Sequence, residues 1–253
     1  MMRLRNKMVL AALVFMAFAV QTAHAGMPAA DRVALEAGVR AEVMKDMAAP
    51  YRPGEGLSER SCLDGRPVQG FQGDLLEYWV NLECPYCGIQ EPVQAQRSNT
   101  GMCIVVRHIP SEEYSESLKK ALSYEALKKF STNAANLFWD KVLPRNALGI
   151  PVPYEGSLLW ACQEAAIPPD AFADALTNGA AIIVNQDIAT GHGRIVSTPT
   201  YVLEGIRFSA CDFTAAELPV ALDLAKKARQ GDQEAIERVI KMIANGLMDE
   251  TVL

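Results

Sequence analysis

The order of apolar and polar runs predicts an α/β protein: a mixed sheet with two parallel strands and a hairpin, flanked by helices. Three observations lead there. The run Leu75–Leu82 enters Cys84-Pro85-Tyr86-Cys87 directly and is followed by a helix-like stretch to about Ser98. A second apolar run, Cys103–His108, is stopped by Pro110. After a long helical block, Thr200–Leu203 and Ile206–Phe208 are separated only by Glu204-Gly205, the spacing of a tight hairpin. Strand–helix–strand followed by strand–turn–strand–helix closes into one helix-covered sheet.

The elements follow in order. Arg3, Arg5 and Lys7 precede an unbroken apolar run from Met8 to Val20, and Ala23-His24-Ala25 places small residues where a signal peptidase reads them. Residues 1–25 therefore read as a secretory signal peptide cleaved after Ala25. The run is too short to span a bilayer, and no later run approaches that length. Residues 28–48 read as a helix, with Pro28 in a first turn and Leu35, Val39, Val43 and Met47 on one face. Pro50, Pro53, Gly54 and Gly56 mark a linker. The arm formed by residues 26–66 is either a helix packed on its own domain or an association surface. A sheet domain is expected over 67–110 and 192–253, interrupted by a helical insertion at 111–191. Two closing helices are expected over about Thr214–Arg229 and Gln233–Asn245.

Composition narrows the function classes. Half of the 253 residues are apolar, which excludes a disordered or collagenous chain. The net charge of −6, made more acidic by loss of the signal peptide, argues against nucleic acid as the partner. All six cysteines lie beyond residue 25: Cys62, Cys84, Cys87, Cys103, Cys162 and Cys211. An even number in an exported chain points to an oxidising compartment and to disulfides. Only His108 and His192 survive cleavage, so a multi-histidine metal site or a conventional triad is not expected, and no metal or cofactor is assigned.

Cys84 stands where a strand ends and a helix begins. Unpaired backbone N–H groups and the helix dipole favour a thiolate there. Pro85 suits a first helical turn because it has no N–H to leave unpaired. Two intervening residues let Cys87 reach back and attack a mixed disulfide on Cys84, so the pair can cycle between dithiol and disulfide. A zinc half-site, a structural disulfide and a copper-delivery site are the competing readings. The zinc reading lacks a second CxxC or paired histidines. Val196–Thr200 is the other feature: Pro199 opens a strand. From the residues alone, an ordinary trans proline at a strand edge is favoured there over a cis bond.

With Cys84-Pro85-Tyr86-Cys87, Pro92 eight positions after Cys84, and Thr198-Pro199 before the hairpin, the chain resembles the bacterial periplasmic Dsb proteins of the thioredoxin superfamily. The resemblance covers about residues 68–230 and places the helical block where Dsb proteins carry their insertion. It implies a thioredoxin fold with a helical insertion and an N-terminal helical arm. It also implies that Cys84 is the nucleophile, Cys87 the buried resolving thiol and Pro199 a cis proline facing them. Thr198 would tune potential and substrate contact, with Pro85 and Tyr86 as active-site support. CPYC with Thr before the proline looks like the DsbC/DsbG isomerase group, whose members dimerise through an amino-terminal module; this arm is shorter. One departure concerns the acid beneath the site. Tyr78 stands where DsbA-type chains usually carry Glu, and strand alternation turns Glu77 to the other face. Glu83, beside Cys84, is expected to oppose its thiolate.

In a thioredoxin-like sheet the strands at 103–108 and 206–208 lie on opposite edges, which makes a Cys103–Cys211 bond poor geometry. Cys62–Cys103 and Cys162–Cys211 are the preferred pairs; the alternative is that one or both pairs are free buried thiols. The functional expectation is a periplasmic thiol:disulfide oxidoreductase. It would act as a protein disulfide isomerase or reductase on misfolded or thiol-containing exported proteins. A homodimer and a membrane redox partner of the Dsb type are also expected. A DsbA-like oxidase and a periplasmic chaperone with a structural disulfide are the alternatives.

Overall fold

The computed structural model describes residues 28–51, 54–89, 93, 101–111, 116–147, 153–209, 214 and 216–250. The expected signal peptide, Pro92 with the helix-like stretch from 94 to 98, and Cys211 lie outside them. Four strands form one sheet in the order β2-β1-β3-β4: β1 is Asp74–Val80, β2 Met102–His108, β3 Thr200–Leu203 and β4 Ile206–Ser209. β2 runs parallel to β1, from Asp74 opposite Met102 to Val80 opposite His108. β3 is antiparallel to β1, and β4 antiparallel to β3. This is the expected thioredoxin-like arrangement. Glu204 and Gly205 both take positive φ, 51° and 78°, the backbone of a primed hairpin turn. A Cβ on Gly205 would collide with Arg229 and Tyr51.

β1 is central and buried on both faces, which is why its sequence shows little alternation. Leu76, Tyr78 and Val80 enter the main core with Ile104, Val106, Tyr201 and Leu203. Leu75 instead meets Cys103 and Val105, and Trp79 meets Val202 and Ile195. Alternate side chains thus serve opposite faces.

Between β2 and β3 lies the helical insertion. It comprises α2 (Ser117–Phe130), α3 (Thr132–Ala147), α4 (Tyr154–Glu164), α5 (Pro169–Ala175) and α6 (Ala181–Gly191), following the arm helix α1 (Ala29–Ala48) in chain order. A π-helical turn, Leu176–Ala180, joins α5 to α6. Two helices, α7 (Leu218–Arg229) and α8 (Gln233–Glu250), follow β4. The Ser131 hydroxyl accepts from the Ala134 N–H at 3.2 Å at the start of α3, and Asp232 accepts from Ala235 at 3.1 Å at the start of α8. Each satisfies a donor the helix itself cannot. In α8, Ile236, Val239, Ile240 and Ile243 are buried at helical spacing, while charged residues hold the other face.

The arm packs on its own core. Val39 and Val43 are buried, with Leu35 and Met47 against the same cluster. Arg207 of β4 donates to Asp46 at 2.9 Å and Glu42 at 2.7 Å. Arg229 of α7 donates to the Met47 carbonyl at 2.7 Å and the Asp46 carbonyl at 3.0 Å, closing the last turn of α1. Val33 and Met44 remain on the outer surface, 68% and 47% exposed.

Cys62 and Cys103 are joined by a disulfide with Cα atoms 5.1 Å apart. It ties the segment after the linker to β2, inside an apolar cluster with Leu57, Val68 and Val105. Of the other expected pair, Cys162–Cys211, Cys211 lies outside the described residues, and Cys162 carries a free thiol. It is half-buried on α4 against the main core, and burial raises its pKa.

Beneath the insertion lies a cluster of buried charges. Arg60 donates to Glu125 at 3.1 Å and to Asp187. Arg107 donates to Glu77 at 3.0 Å and to Asp187 as well. Asp187 also accepts from the His108 N–H at 2.9 Å, and His108 Nε2 lies 3.0 Å from Glu125. Burial alone would raise the Glu125 pKa, but the bond to His108 and the nearby Lys128 and Arg60 charges hold it at about 2.

Candidate active site

β1, a central strand, delivers the cysteines just beyond its C-terminal end. The Cys84 N–H donates to the Asn81 carbonyl at 3.0 Å, and the Cys87 N–H to the Cys84 carbonyl at 3.1 Å. These bonds lead into a tight 3-10 turn, Pro85–Ile89, against which α3 packs. Proline at its first position leaves no donor unpaired. Cys84 is 6% exposed and Cys87 1% exposed, while Tyr86 between them is 48% exposed.

The second motif meets the first. The Thr198–Pro199 peptide is cis, and the Cys84 thiol donates to the Thr198 carbonyl at 3.1 Å. Residues 114 positions apart in sequence thus share one site. Asn81, Cys84, Tyr86, Ile109, Ser197 and Thr198 line a cleft of about 400 Å³. Val196, 88% exposed, stands on its rim.

The two thiols are driven apart electrically. The hydrogen bond with Cys87 is the main cause that lowers the Cys84 pKa, to about 6. Burial opposes it; the Thr198 side chain and the Cys87 and Tyr86 backbone reinforce it. Burial pushes Cys87 well above the ordinary thiol range, and the bond to Cys84 and the Cys84 charge add to that. Backbone and side-chain donors of the turn itself thus favour the thiolate; most of the helix-like stretch expected to follow Cys87 lies outside the described residues.

Tyr78 lies on the face of β1 that meets the site and donates to the Cys87 carbonyl at 3.1 Å. Glu77 lies on the opposite face, bound to Arg107. The expected opposition of Glu83 to the thiolate is moderated: its carboxylate accepts from Lys120 Nζ at 2.9 Å and from the Glu116 N–H at 3.0 Å. Lys120 and Asn81 were not singled out from the sequence, and no spacing signal relates Lys120 on α2 to a turn 37 positions earlier. No group of three His, Cys, Asp or Glu side chains placed to hold a metal occurs among the described residues.

No protein-family model matches the chain, and no curated protein matches it either. Several solved structures resemble it. A thioredoxin-like oxidoreductase from Silicibacter pomeroyi DSS-3 is 18% identical, with 62% of this chain and 88% of that chain covered and a TM-score of 0.50. The thiol-disulfide exchange protein alpha-DsbA2 from Wolbachia pipientis is 13% identical, with 80% and 100% covered and a TM-score of 0.49. The catalytic domain of Proteus mirabilis ScsC is 12% identical, with 62% and 85% covered and a TM-score of 0.49. At such identity the likeness is one of fold, and the first of the three supports the thioredoxin-like assignment. No helix among the described residues is long and apolar enough to cross a membrane.

Proposed function

We propose that the protein is a periplasmic thiol:disulfide oxidoreductase acting on exported proteins, with Cys84 as nucleophile and Cys87 as resolving thiol. The observation that carries this reading is geometric: the Cys84 thiol of a Cys-Pro-Tyr-Cys turn meets the Thr198 carbonyl of a cis Thr198–Pro199 peptide at 3.1 Å, and the opposed pKa directions of Cys84 and Cys87 agree with it. In the forward direction the Cys84 thiolate attacks one sulfur of a substrate disulfide. A mixed disulfide forms and a substrate thiolate leaves. That bond consumes the Cys84 charge and the Cys84 hydrogen bond, two of the causes that hold Cys87 protonated. Cys87 then loses its proton more readily and attacks Cys84 Sγ. The second substrate thiol departs, and two electrons have passed from the dithiol to the substrate. If the freed substrate thiolate attacks the mixed disulfide first, disulfides are rearranged with no net electron transfer, which is isomerisation. Thr198 and Tyr86 line the cleft that would receive the chain, while Pro199 fixes Thr198 through the cis bond and Pro85 opens the cysteine turn.

One observation favours net oxidation over isomerisation. Val39 and Val43 of the arm are buried on the chain's own core, so pairing through that face requires α1 to undock. A homodimer built with α1 docked would use the outer face of Val33 and Met44. In either direction, a membrane redox partner of the Dsb type would restore the working state of Cys84 and Cys87.

The test incubates the protein with a scrambled disulfide reporter and, separately, with its reduced form, while light scattering records the assembly state. Recovery of the scrambled reporter without added oxidant supports isomerase action. Oxidation of the reduced reporter by the stoichiometric disulfide form supports an oxidase. If Cys84→Ser loses neither activity but the protein still suppresses aggregation, the redox reading is wrong and a chaperone is left.

A further inference from the structure

The residue next to the proposed nucleophile is an acid, which is an unfavourable neighbour for a thiolate. The structure shows what offsets it. Glu83 is about five-sixths buried, with 17% of its side chain exposed. Its carboxylate takes the Glu116 N–H at 3.0 Å, at the N-terminus of α2, where the helix dipole favours an anion. It also takes Lys120 Nζ at 2.9 Å, from the first turn of that helix. The Lys120 side chain is 2% exposed, and Glu116 is a more distant second acid at 3.8 Å. A lysine buried to that degree is costly unless its charge is used. The same helix end is tied to the cysteine turn a second time: Ser117 donates to the Asn81 side chain at 2.7 Å, and the Asn81 carbonyl accepts from the Cys84 N–H. The insertion is thereby docked on the residues that precede Cys84.

We propose that Lys120 is a positioning residue for the Cys84 thiolate: by pairing with Glu83 it cancels the acid beside the nucleophile and makes the reactivity of Cys84 depend on the docked insertion. This rests on the redox reading given above. Without Lys120, the charge on Glu83, one residue from the thiolate in sequence, has only the helix terminus to offset it. A like charge on the adjacent residue in a partly buried site is worth about one pKa unit. Starting from a Cys84 pKa of about 6, a rise of that size makes the exchange equilibrium at pH 7 about fivefold less oxidising.

The experiment compares the full-length protein with Lys120→Met, Lys120→Arg, Glu83→Gln and the Glu83→Gln/Lys120→Met double variant. The pH midpoint of Cys84 alkylation by iodoacetamide is read by peptide mass, which separates it from Cys162. The equilibrium with glutathione is read on the same samples. Lys120→Met should raise the midpoint by about one unit and Glu83→Gln should lower it. The double variant should return close to the starting protein, and Lys120→Arg should stay there. A purely structural lysine would lower stability without moving the midpoint. If Lys120→Met does not fold, the downward shift in Glu83→Gln and the double variant's return from it still decide the matter. Midpoints that coincide in Glu83→Gln and the starting protein overturn the proposal. So does a double variant shifted as far as Lys120→Met alone. A starting protein that never exchanges with glutathione while the midpoints still shift would refute the redox reading and leave the role of Lys120 standing.

Discussion

Changing the pH tests the site most directly, because the two thiols titrate far apart. Cys84 is brought down to about 6 from an ordinary value of 9.0, whereas Cys87 is pushed well above 9.0. The disulfide form holds neither proton. Below pH 6, reduction of the pair takes up two protons with two electrons; above it, only one. The potential should therefore fall by about 59 mV per pH unit at low pH and by about 30 mV per unit above a break near pH 6. The sign follows from linkage. A depressed folded pKa stabilises the reduced protein as pH rises from 6, fully so above 9, and that stabilisation is lost as pH falls through 6. At pH 7 it amounts to at most about 1.4 kcal/mol, or about 30 mV towards an oxidising pair. Solvent at the cleft mouth reduces this figure. Equilibration with glutathione at a series of pH values, acid quenching and mass analysis give the curve. A single steep slope up to about pH 9 would show that Cys84 is an ordinary thiol.

Three further outcomes follow from the same geometry. Cys87→Ser should accumulate mixed disulfides at Cys84, visible as thiol-sensitive adducts on a gel, because the internal attack is gone; adducts at Cys87 in the converse Cys84→Ser protein would reverse the roles. Thr198→Val removes one of the groups that lower the Cys84 pKa, and should raise the alkylation midpoint by about half a unit to one unit with the thermal midpoint little changed. An unshifted alkylation midpoint would take Thr198 out of the tuning. Asp187→Ala strips a shared partner from Arg60, Arg107 and the His108 N–H, and should cost about 3–5 kcal/mol in urea unfolding. A loss below about 1 kcal/mol would mean that water reaches the cluster and replaces the carboxylate.

Elements whose signal is local were readable in the sequence. The Leu75–Leu82 run, the hairpin around Glu204-Gly205 and the apolar stripe of α1 gave strands and a helix within a few residues of their observed ends. The strand expected to reach Leu82 ends at Val80, because Asn81 leaves the ladder to bond the cysteine turn and the end of α2. The cis state of Pro199 came from family resemblance, since an isolated Thr-Pro favours trans by its local energetics. Where α1 would go was open, because an amphipathic stripe says that a face must be buried and not against which surface. Arg207 and Arg229, which hold the helix on its own chain, lie more than 150 positions away. Arg60, Asp187 and Lys120 had no signal for the same reason: a charged residue in sequence reads as surface until its partner is known.

The insertion is more than a cover for the sheet. Tyr201 stacks on Tyr78 at 5.3 Å, Tyr78 meets Trp139 of α3 at 5.8 Å, and Trp139 meets Tyr124 of α2 at 5.6 Å. Tyr124 then touches His108 at 5.4 Å, where the charge cluster begins. Apolar rings and paired charges thus fasten α2 to the sheet along its length. Each has a cost if it slips, the rings through lost packing and the charges through uncompensated burial. Such fastening fixes the first turn of α2 relative to β1, and with it the bonds from Ser117 to Asn81 and from Lys120 to Glu83. The hydrogen bonds that lower the Cys84 pKa are short-ranged and directional, so they depend on the cysteine turn being held to within fractions of an ångström. A thiolate held by such bonds draws that rigidity from outside the sheet as well. The buried charges that look expensive in isolation supply it.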